Sequence, residues 1–405
     1  MNTKKFLLDS LLNIVATAIP IIILQLVTLP IIGDRLGGDQ YGLIVTLISL
    51  FTVLSFPFGN VLNNIRLLVD KEYSEKQILG DFNILLISSI VLSTIMMIIG
   101  TIYYEGKFSF ISISLIILIS CLNLLREYLG VSFRLQLNYK KIVINNVILT
   151  IGYILGTFLF SLMGYWEFIF IFGYGFSVLY IIKNSTLLKE PVVRTDLFNS
   201  TTYKSIVLLG SSLLTNVLNY ADKLLIFPLL GPAAVTIYYT ATIIGKIMSM
   251  AITPINGVIL SYIARLEKFN PKTFGLIMLL TGIVGIIGYV FTVWISPFVL
   301  SFLYPDWANE SLKYIYITTA TAIVGVISSV IQPFILKFNH INWQLIINGS
   351  NVIVYMVCAF VLYQFYGLMG FCIGIFISSV YQLILMICIF IVSNRRNHEE
   401  HVMGE

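Results

Sequence analysis

Apolar runs of about 20 residues, separated by short polar connections, recur along the chain from Leu11 to Val392. At about 1.5 Å of rise per residue, each is long enough to cross a hydrocarbon core of roughly 30 Å as a helix. The pattern predicts twelve spans, at approximately 11–33, 41–63, 82–103, 108–129, 142–163, 166–183, 205–230, 235–262, 274–303, 313–336, 343–363 and 367–392. The expected fold class is therefore an all-α polytopic membrane protein, with lipid rather than a water-excluded core as its main solvent.

Composition strengthens this reading. Of 405 residues, 58% are hydrophobic and 11% charged, whereas soluble domains carry roughly a quarter charged residues; mean hydropathy is +0.95. Met1 to Lys5 followed by an apolar stretch mimics a signal peptide. The stretch runs on to Gly33 without a small-residue cleavage site, so it reads as the first span. The net charge of +5 comes from basic residues scattered over short connections, with no patch suited to nucleic acid. Cys121, Cys358, Cys372 and Cys388 lie inside apolar runs without a CxxC pair, and read as small buried hydrophobes.

Charge also orients the chain, because cationic segments beside a span resist translocation. With the N-terminus inside, 19 of the 24 Lys and Arg residues fall on internal connections or the tails, which an odd number of spans would scramble. Only Arg35, Lys107 and Lys313 fall outside, and Lys223 and Lys246 lie within or near apolar runs. Both termini are thus expected in the cytoplasm. External connections are short, leaving no room there for a catalytic domain.

The longest internal connection, KNSTLLKEPVVRTDLFNSTTYK, divides the spans into two groups of six. The expected organisation is an N-terminal lobe over 1–184, a linker over 185–204, a C-terminal lobe over 205–393 and a tail over 394–405. The lobes carry related segments. LPIIGDRLGGDQYGLIV, Leu29 to Val45, matches IFPLLGPAAVTIYYTA, Ile226 to Ala241, when Gly37 is set against Gly231, 194 residues later. Each is followed by a helix with a late proline, Pro57 or Pro254. An even number of spans per lobe makes this a parallel repeat, related by an axis along the membrane normal.

The segment Pro30 to Gly42, PIIGDRLGGDQYG, resembles the signature after the first span of the bacterial oligosaccharide flippases, the polysaccharide-export (Wzx-type) branch of the MATE-like superfamily. Asn219 to Pro232, NYADKLLIFPLLGP, resembles that family's seventh-span ending. The resemblance implies two pseudo-symmetric six-helix bundles about a central cavity. It also implies transfer of polyprenyl-pyrophosphate-linked oligosaccharide to the outer leaflet of a bacterial cytoplasmic membrane, for capsule, O-antigen or exopolysaccharide synthesis. Membrane lipids and a polysaccharide polymerase or chain-length complex would be its partners. A rival likeness, of GDRLGG to the G-x-x-x-D-R-x-G-R-R loop of major-facilitator transporters, fails because that loop belongs inside, after the second span.

Intramembrane ionisable residues cost about 2.5–3.5 kcal/mol on insertion scales and so point to function. On the seventh span Ser212, Thr215, Asn216, Asn219, Asp222 and Lys223 recur every three to four residues; on the eighth, Tyr239, Thr242, Lys246 and Ser249 do so. Such stripes face either a wet cavity or each other. Lys246 and Lys223 are the candidate pyrophosphate contacts, with Arg35, Arg66 and Arg126 as further cations, against the bland reading of head-group or orienting charges. Asn216, Asn219, Tyr239, Thr242, Asn348 and Asn351 are candidate sugar contacts, against helix-joining amides. Asp222 is the candidate site for a coupling proton or sodium ion. It is expected not to pair with Lys223, since successive helical residues point about 100° apart.

No cofactor, metal or nucleotide is expected, and no G-x-x-x-x-G-K-[ST] loop occurs. A MATE-type cation-coupled drug exporter is the nearest alternative and should favour buried carboxylates over lysines. Lipid II flippases carry cations in the first span, and none lies between Leu11 and Ile32. An integral-membrane polymerase or glycosyltransferase would need a large external loop, an acidic metal motif or an intramembrane histidine; His340, His398 and His401 fall in an internal connection and the tail.

Overall fold

The computed structural model describes residues 17–263, 271–338 and 342–403, and the regular structure among them is helical. In chain order the helices are α1 (Thr17–Leu36, with a π turn over Leu24–Thr28), α2 (Gly38–Leu54) and α3 (Phe56–Glu75). Next come α4 (Phe82–Glu105), α5 (Phe110–Leu129), the short α6 (Val131–Leu135), α7 (Tyr139–Met163) and α8 (Glu167–Asn184). They are followed by α9 (Phe198–Leu230), α10 (Pro232–Ile263), α11 (Pro271–Leu303), α12 (Ala308–Phe338) and α13 (Asn342–Met403). Lys4, Lys5, Arg265, Lys268 and His340 lie outside the described residues.

Among the described residues, ten helical stretches are long and apolar enough to cross a membrane. One of them, 46 residues long from Ile346 to Ile391, is two helices meeting at Gly367, whose φ of 56° and ψ of −134° are not helical. α10 is a further helix of 32 residues whose only charged side chain is Lys246. The chain is a multi-pass membrane protein, and these elements follow the expected spans closely. One boundary differs. The second span, expected over 41–63, breaks at Ser55, two residues before Pro57, and continues as α3 to Glu75. Proline lacks the N–H a helix needs. Here Ser55 Oγ donates to the Phe51 carbonyl at 2.7 Å and accepts from Asn123 Nδ2 at 3.0 Å.

The chain divides by packing at Pro232, into one unit up to that residue and another from Ala233. α9 thus packs in the first unit, against α2 and α3. In that unit a core of Phe58, Leu62, Ile65, Val69, Phe82, Tyr128 and Phe133 fills the space between α3, α4, α5 and α6. α7 and α8 meet almost backbone to backbone: a Cβ at Gly152 would fall 2.5 Å from the Phe172 carbonyl oxygen. Small residues allow such approach where no hydrophobic force drives helices together. In the second unit Phe274, Phe334 and Phe390 form an aromatic cluster with centroids 4.5 to 5.9 Å apart, joining α11, α12 and α13. Of the cysteines, Cys372 is buried as expected, Cys121 and Cys358 are half-buried, and Cys388 is exposed.

The two segments paired by sequence share an unusual backbone. Gly37 has φ 76° and ψ 172°, and Gly231 has φ 83° and ψ 172°. Each closes a helix by donating to the carbonyl four residues back, Gly33 or Phe227. A Cβ would strain this region of φ/ψ space, which is why glycine stands at both turns.

α9 carries Pro228 in its interior, so the carbonyl of Leu224, four residues earlier, has lost its helical donor. Tyr104 of α4 supplies a replacement: its hydroxyl donates to the Leu224 oxygen at 2.9 Å, with its ring edge-on to Phe227 at 5.4 Å. Tyr104→Phe keeps the ring and strands the carbonyl, and should lower stability by about 1–3 kcal/mol. Thermal unfolding in detergent measures this; an unchanged midpoint would show that Leu224 finds another donor.

Candidate functional site

The structure places the expected cations in different settings. Arg35, in the last turn of α1, is exposed and donates from Nη1 to the Ser161 carbonyl at the end of α7. Arg66 of α3 is buried, and its guanidinium is committed to a carboxylate that sequence reading did not single out. Its Nη1 and Nη2 donate to Glu190 Oε2 and Oε1 at 2.8 and 2.6 Å, with the side chains 8% and 9% exposed. The same guanidinium lies over the Phe82 ring, 4.5 Å from its centroid.

Glu190 belongs to the connection between α8 and α9, so this ion pair is one stitch in a strap. Asn83 Nδ2 donates to the Glu190 carbonyl at 2.7 Å. Asp81 is the other anchor. Its N–H donates to Val193 O at 2.9 Å, its Oδ1 accepts from Thr195 N at 2.7 Å, and its Oδ2 accepts from the hydroxyls of Tyr73, at 2.7 Å, and Thr195. Asp81 itself stands at φ 64°, a strained value for a residue with a side chain, and these bonds hold it there. The linker is therefore built into the first unit. Arg66 holds this strap through Glu190, and its assignment to substrate stays a proposal.

Arg126, near the end of α5, is about one-fifth exposed and contacts Glu127, its neighbour in sequence, through Nη1. Its Nη2 donates to Asn146 Oδ1 of α7 at 3.2 Å, and Tyr174 of α8 lies beneath it at 5.9 Å. Lys223 of α9 corrects a sequence expectation. Its Nζ lies 2.7 Å from both carboxylate oxygens of Asp222. The 100° between successive side chains fixes only the Cβ directions, and four methylenes let the ammonium fold back on its neighbour. The lysine is buried and Asp222 half-buried, with the Tyr220 ring 5.8 Å from the ammonium. Further back along α9, Asn216 is half-buried and donates to Ser212 O at 2.8 Å, while Asn219 and Thr215 are exposed.

Lys246 lies half-buried on α10 in the second unit. That helix is pinned to α12, because Thr318 Oγ1 donates to Ala241 O at 2.9 Å and Thr240 bonds Ser311. Tyr239 is buried, and Thr242 is half-buried with its hydroxyl donating to Tyr239 O at 2.9 Å. Asn351 joins the two halves of α13: its Nδ2 donates to Gln382 Oε1 at 3.1 Å and its Oδ1 accepts from Ser378 Oγ at 2.6 Å. This is the helix-joining use of an amide. Asn348, one turn earlier, is half-buried. Among the described residues, no group of three or more His, Cys, Asp and Glu could hold a metal ion.

No protein-family model and no curated protein matches the sequence. Solved structures do match the fold. An inward-facing multidrug-resistance MATE-family transporter of the MOP superfamily aligns with a TM-score of 0.69 and 13% identity, over 95% of this chain and 98% of that one. The lipid II flippase MurJ, in an inward closed conformation, aligns at 0.68 and 12%, over 96% and 87%. The eukaryotic MATE transporter AtDTX14 aligns at 0.60 and 16%, over 98% of both chains. At these identities the likeness is one of fold: the chain has the architecture seen in these MATE transporters and in MurJ.

Removing one partner of a buried pair strands the other charge. Glu190→Ala should therefore cost about 3–5 kcal/mol, and free the strap for cleavage at Lys189 and Arg194. Trypsin digestion of the solubilised protein, followed by intact-mass analysis, reads the outcome. Wild-type resistance in the variant would mean that Asp81 and Asn83 suffice to hold the linker.

Proposed function

We propose that this chain is a flippase that moves polyprenyl-pyrophosphate-linked oligosaccharide from the cytoplasmic to the outer leaflet of a bacterial membrane, serving the synthesis of a surface polysaccharide. The observation that carries the reading is Lys246, the one charged side chain of α10 and half-buried in a helix of membrane-spanning length. An ammonium there costs insertion energy and suits a pyrophosphate as a mobile point charge. Two carboxylates of the helices point the same way. Glu127 is held by Arg126 and Asp222 by Lys223, an arrangement ill-suited to capturing an organic cation. The fold supports transport in general, since the similar structures include both MATE drug transporters and a lipid-linked flippase.

In this mechanism Lys246 is the proposed pyrophosphate contact of the second unit and Lys223 that of the first. Asp222 is the candidate coupling residue, because a proton or sodium ion on its carboxylate would release the Lys223 ammonium for substrate. A pyrophosphate diester carries about two negative charges, and each gains about 2.3 kcal/mol per 100 mV when moved outward through an inside-negative potential. Voltage alone can therefore supply a driving force. Both termini are assigned to the cytoplasm by the distribution of Lys and Arg, and a polymerase acting on the exported unit is the expected functional neighbour. We read the chain as a carrier and not an enzyme.

The test is transfer of a labelled lipid-linked oligosaccharide across proteoliposome membranes, with product formation from the same substrate as the enzyme control. Lys246→Ala should slow transfer by about tenfold or more, the loss of one charge-assisted contact, while leaving the melting temperature unchanged. Lys246→Arg should restore part of the rate. Normal transfer by Lys246→Ala would remove that residue from the mechanism, and failure of the wild-type protein would remove the substrate.

A further inference from the structure

The strap between α8 and α9 has an inner edge committed to the first unit and an outer edge turned away from it. On the inner edge Leu187 is buried, Glu190 is paired with Arg66, and Asp81 holds the backbone at Val193 and Thr195. Fixing those points leaves apolar neighbours outside. Leu188, Val192 and Val193 are 41%, 60% and 55% exposed, and Leu79, two residues before the Asp81 anchor, is 60% exposed. Lys189 and Arg194 stand exposed among them. Among the described residues neither cation has an ion-pair partner, and Arg194 lies over the Phe198 ring, 4.9 Å from its centroid.

The height of the strap along the helices is set by Asn83, the second residue of α4, which holds the Glu190 carbonyl. Four residues on, about 6 Å at 1.5 Å each, Ile87 begins an exposed apolar row that continues through Val91, Ile95 and Ile99. α8 runs into the strap in the same way, with Leu179 and Ile182 exposed just before the exposed Lys183. Such rows are the faces that a multi-pass protein turns to hydrocarbon. The strap therefore lies where acyl chains give way to head groups.

A leaflet at that height matches the outer edge group by group. Its acyl and glycerol carbons take up Leu188, Val192 and Val193, its phosphates meet Lys189 and Arg194, and its water serves backbone groups that pure hydrocarbon would strand. Glu190, which would repel a phosphate, is already neutralised by Arg66, leaving the exposed Asp196 of this segment against Lys183, Lys189 and Arg194. We propose that the outer edge of the strap is a docking site for anionic phospholipid of the adjoining leaflet, with Lys189 and Arg194 on the lipid phosphate and Val192 and Val193 dipping into the interface. A soluble protein could cover the same carbons, but the height at which acyl chains begin favours lipid. The inference needs only a membrane-spanning chain and does not depend on the cargo. Lipid bound here would add to the hold that Arg66 and Asp81 already have on the linker.

Two measurements on the full chain test it. Val193→Trp leaves the Val193 carbonyl on the Asp81 N–H, and reports depth in liposomes containing phosphatidylglycerol. Its fluorescence in excess of wild type should be quenched by phospholipid brominated on the acyl chains and shielded from aqueous acrylamide. Native mass spectrometry of the detergent-solubilised protein compares binding of phosphatidylglycerol with that of phosphatidylcholine. A cation beside an anionic lipid surface contributes about fivefold in affinity. Lys189→Gln/Arg194→Gln should therefore lose preference for phosphatidylglycerol by about tenfold or more, and Lys189→Gln alone by about fivefold, while Lys71→Gln, at another exposed lysine, stays near wild type. Should the double variant not fold, Lys189→Gln decides. Quenching by acrylamide but not by brominated lipid puts the edge in water, gives it to a protein partner and overturns the proposal. So does an unchanged lipid preference, or a loss that Lys71→Gln reproduces. Displacement of the lipid by glycerol 3-phosphate at equal concentration would make this a site for free phosphate and overturn it as well.

Discussion

Hydrocarbon offers no partner to an N–H, a carbonyl or a charge, so every polar group that enters a membrane must bring or find its own. Much of what is distinctive in this chain follows from that constraint. Pro228 removes a donor from α9, and a tyrosine from α4 replaces it. At the break before Pro57, Ser55 Oγ bonds the Phe51 carbonyl and Asn123 bonds Ser55. Arg66 occurs with Glu190, Arg126 with Glu127 and Lys223 with Asp222. In water these pairs would contribute little; in a low-dielectric interior their value lies in what breaking one would cost.

The same constraint decides what sequence reading could reach. Spans were legible because each must be long and apolar for reasons contained within itself. The turn at Gly37 and its counterpart at Gly231 were legible because a backbone with φ near 80° excludes other residues, so the requirement leaves a mark on the sequence. The strap left none. Arg66 and Glu190 are 124 residues apart, and a glutamate in a polar connection looks like any other solvated charge. Asp81 is equally unremarked in the sequence, although it bonds Tyr73, Val193 and Thr195.

Where sequence reading misjudged, it treated direction as contact. Asp222 and Lys223 diverge at their Cβ atoms, yet the ammonium reaches both carboxylate oxygens. The opposite error threatens the amides. Asn351 lies on a polar stripe and could be read as facing substrate, but its side chain is taken up by Gln382 and Ser378. A stripe says only that a helix face is not lipid. Whether that face is wet or packed depends on residues supplied by other helices, and no single segment encodes it.

Arg66 and Arg126 illustrate how this bears on mechanism. Arg66 is buried and Arg126 half-buried, and composition alone would enrol both in binding an anionic cargo. Arg66 has its two terminal nitrogens on one carboxylate and an aromatic ring beneath, which is the setting of a fixed strut. Arg126 divides its nitrogens between a carboxylate and an amide and remains one-fifth exposed. A carrier has to hold its cargo weakly enough to release it, so its working charges should be those whose bonds can be exchanged. On that criterion Arg126 is better suited to exchanging partners than Arg66 or Lys223, each of which is buried and committed to both oxygens of one carboxylate.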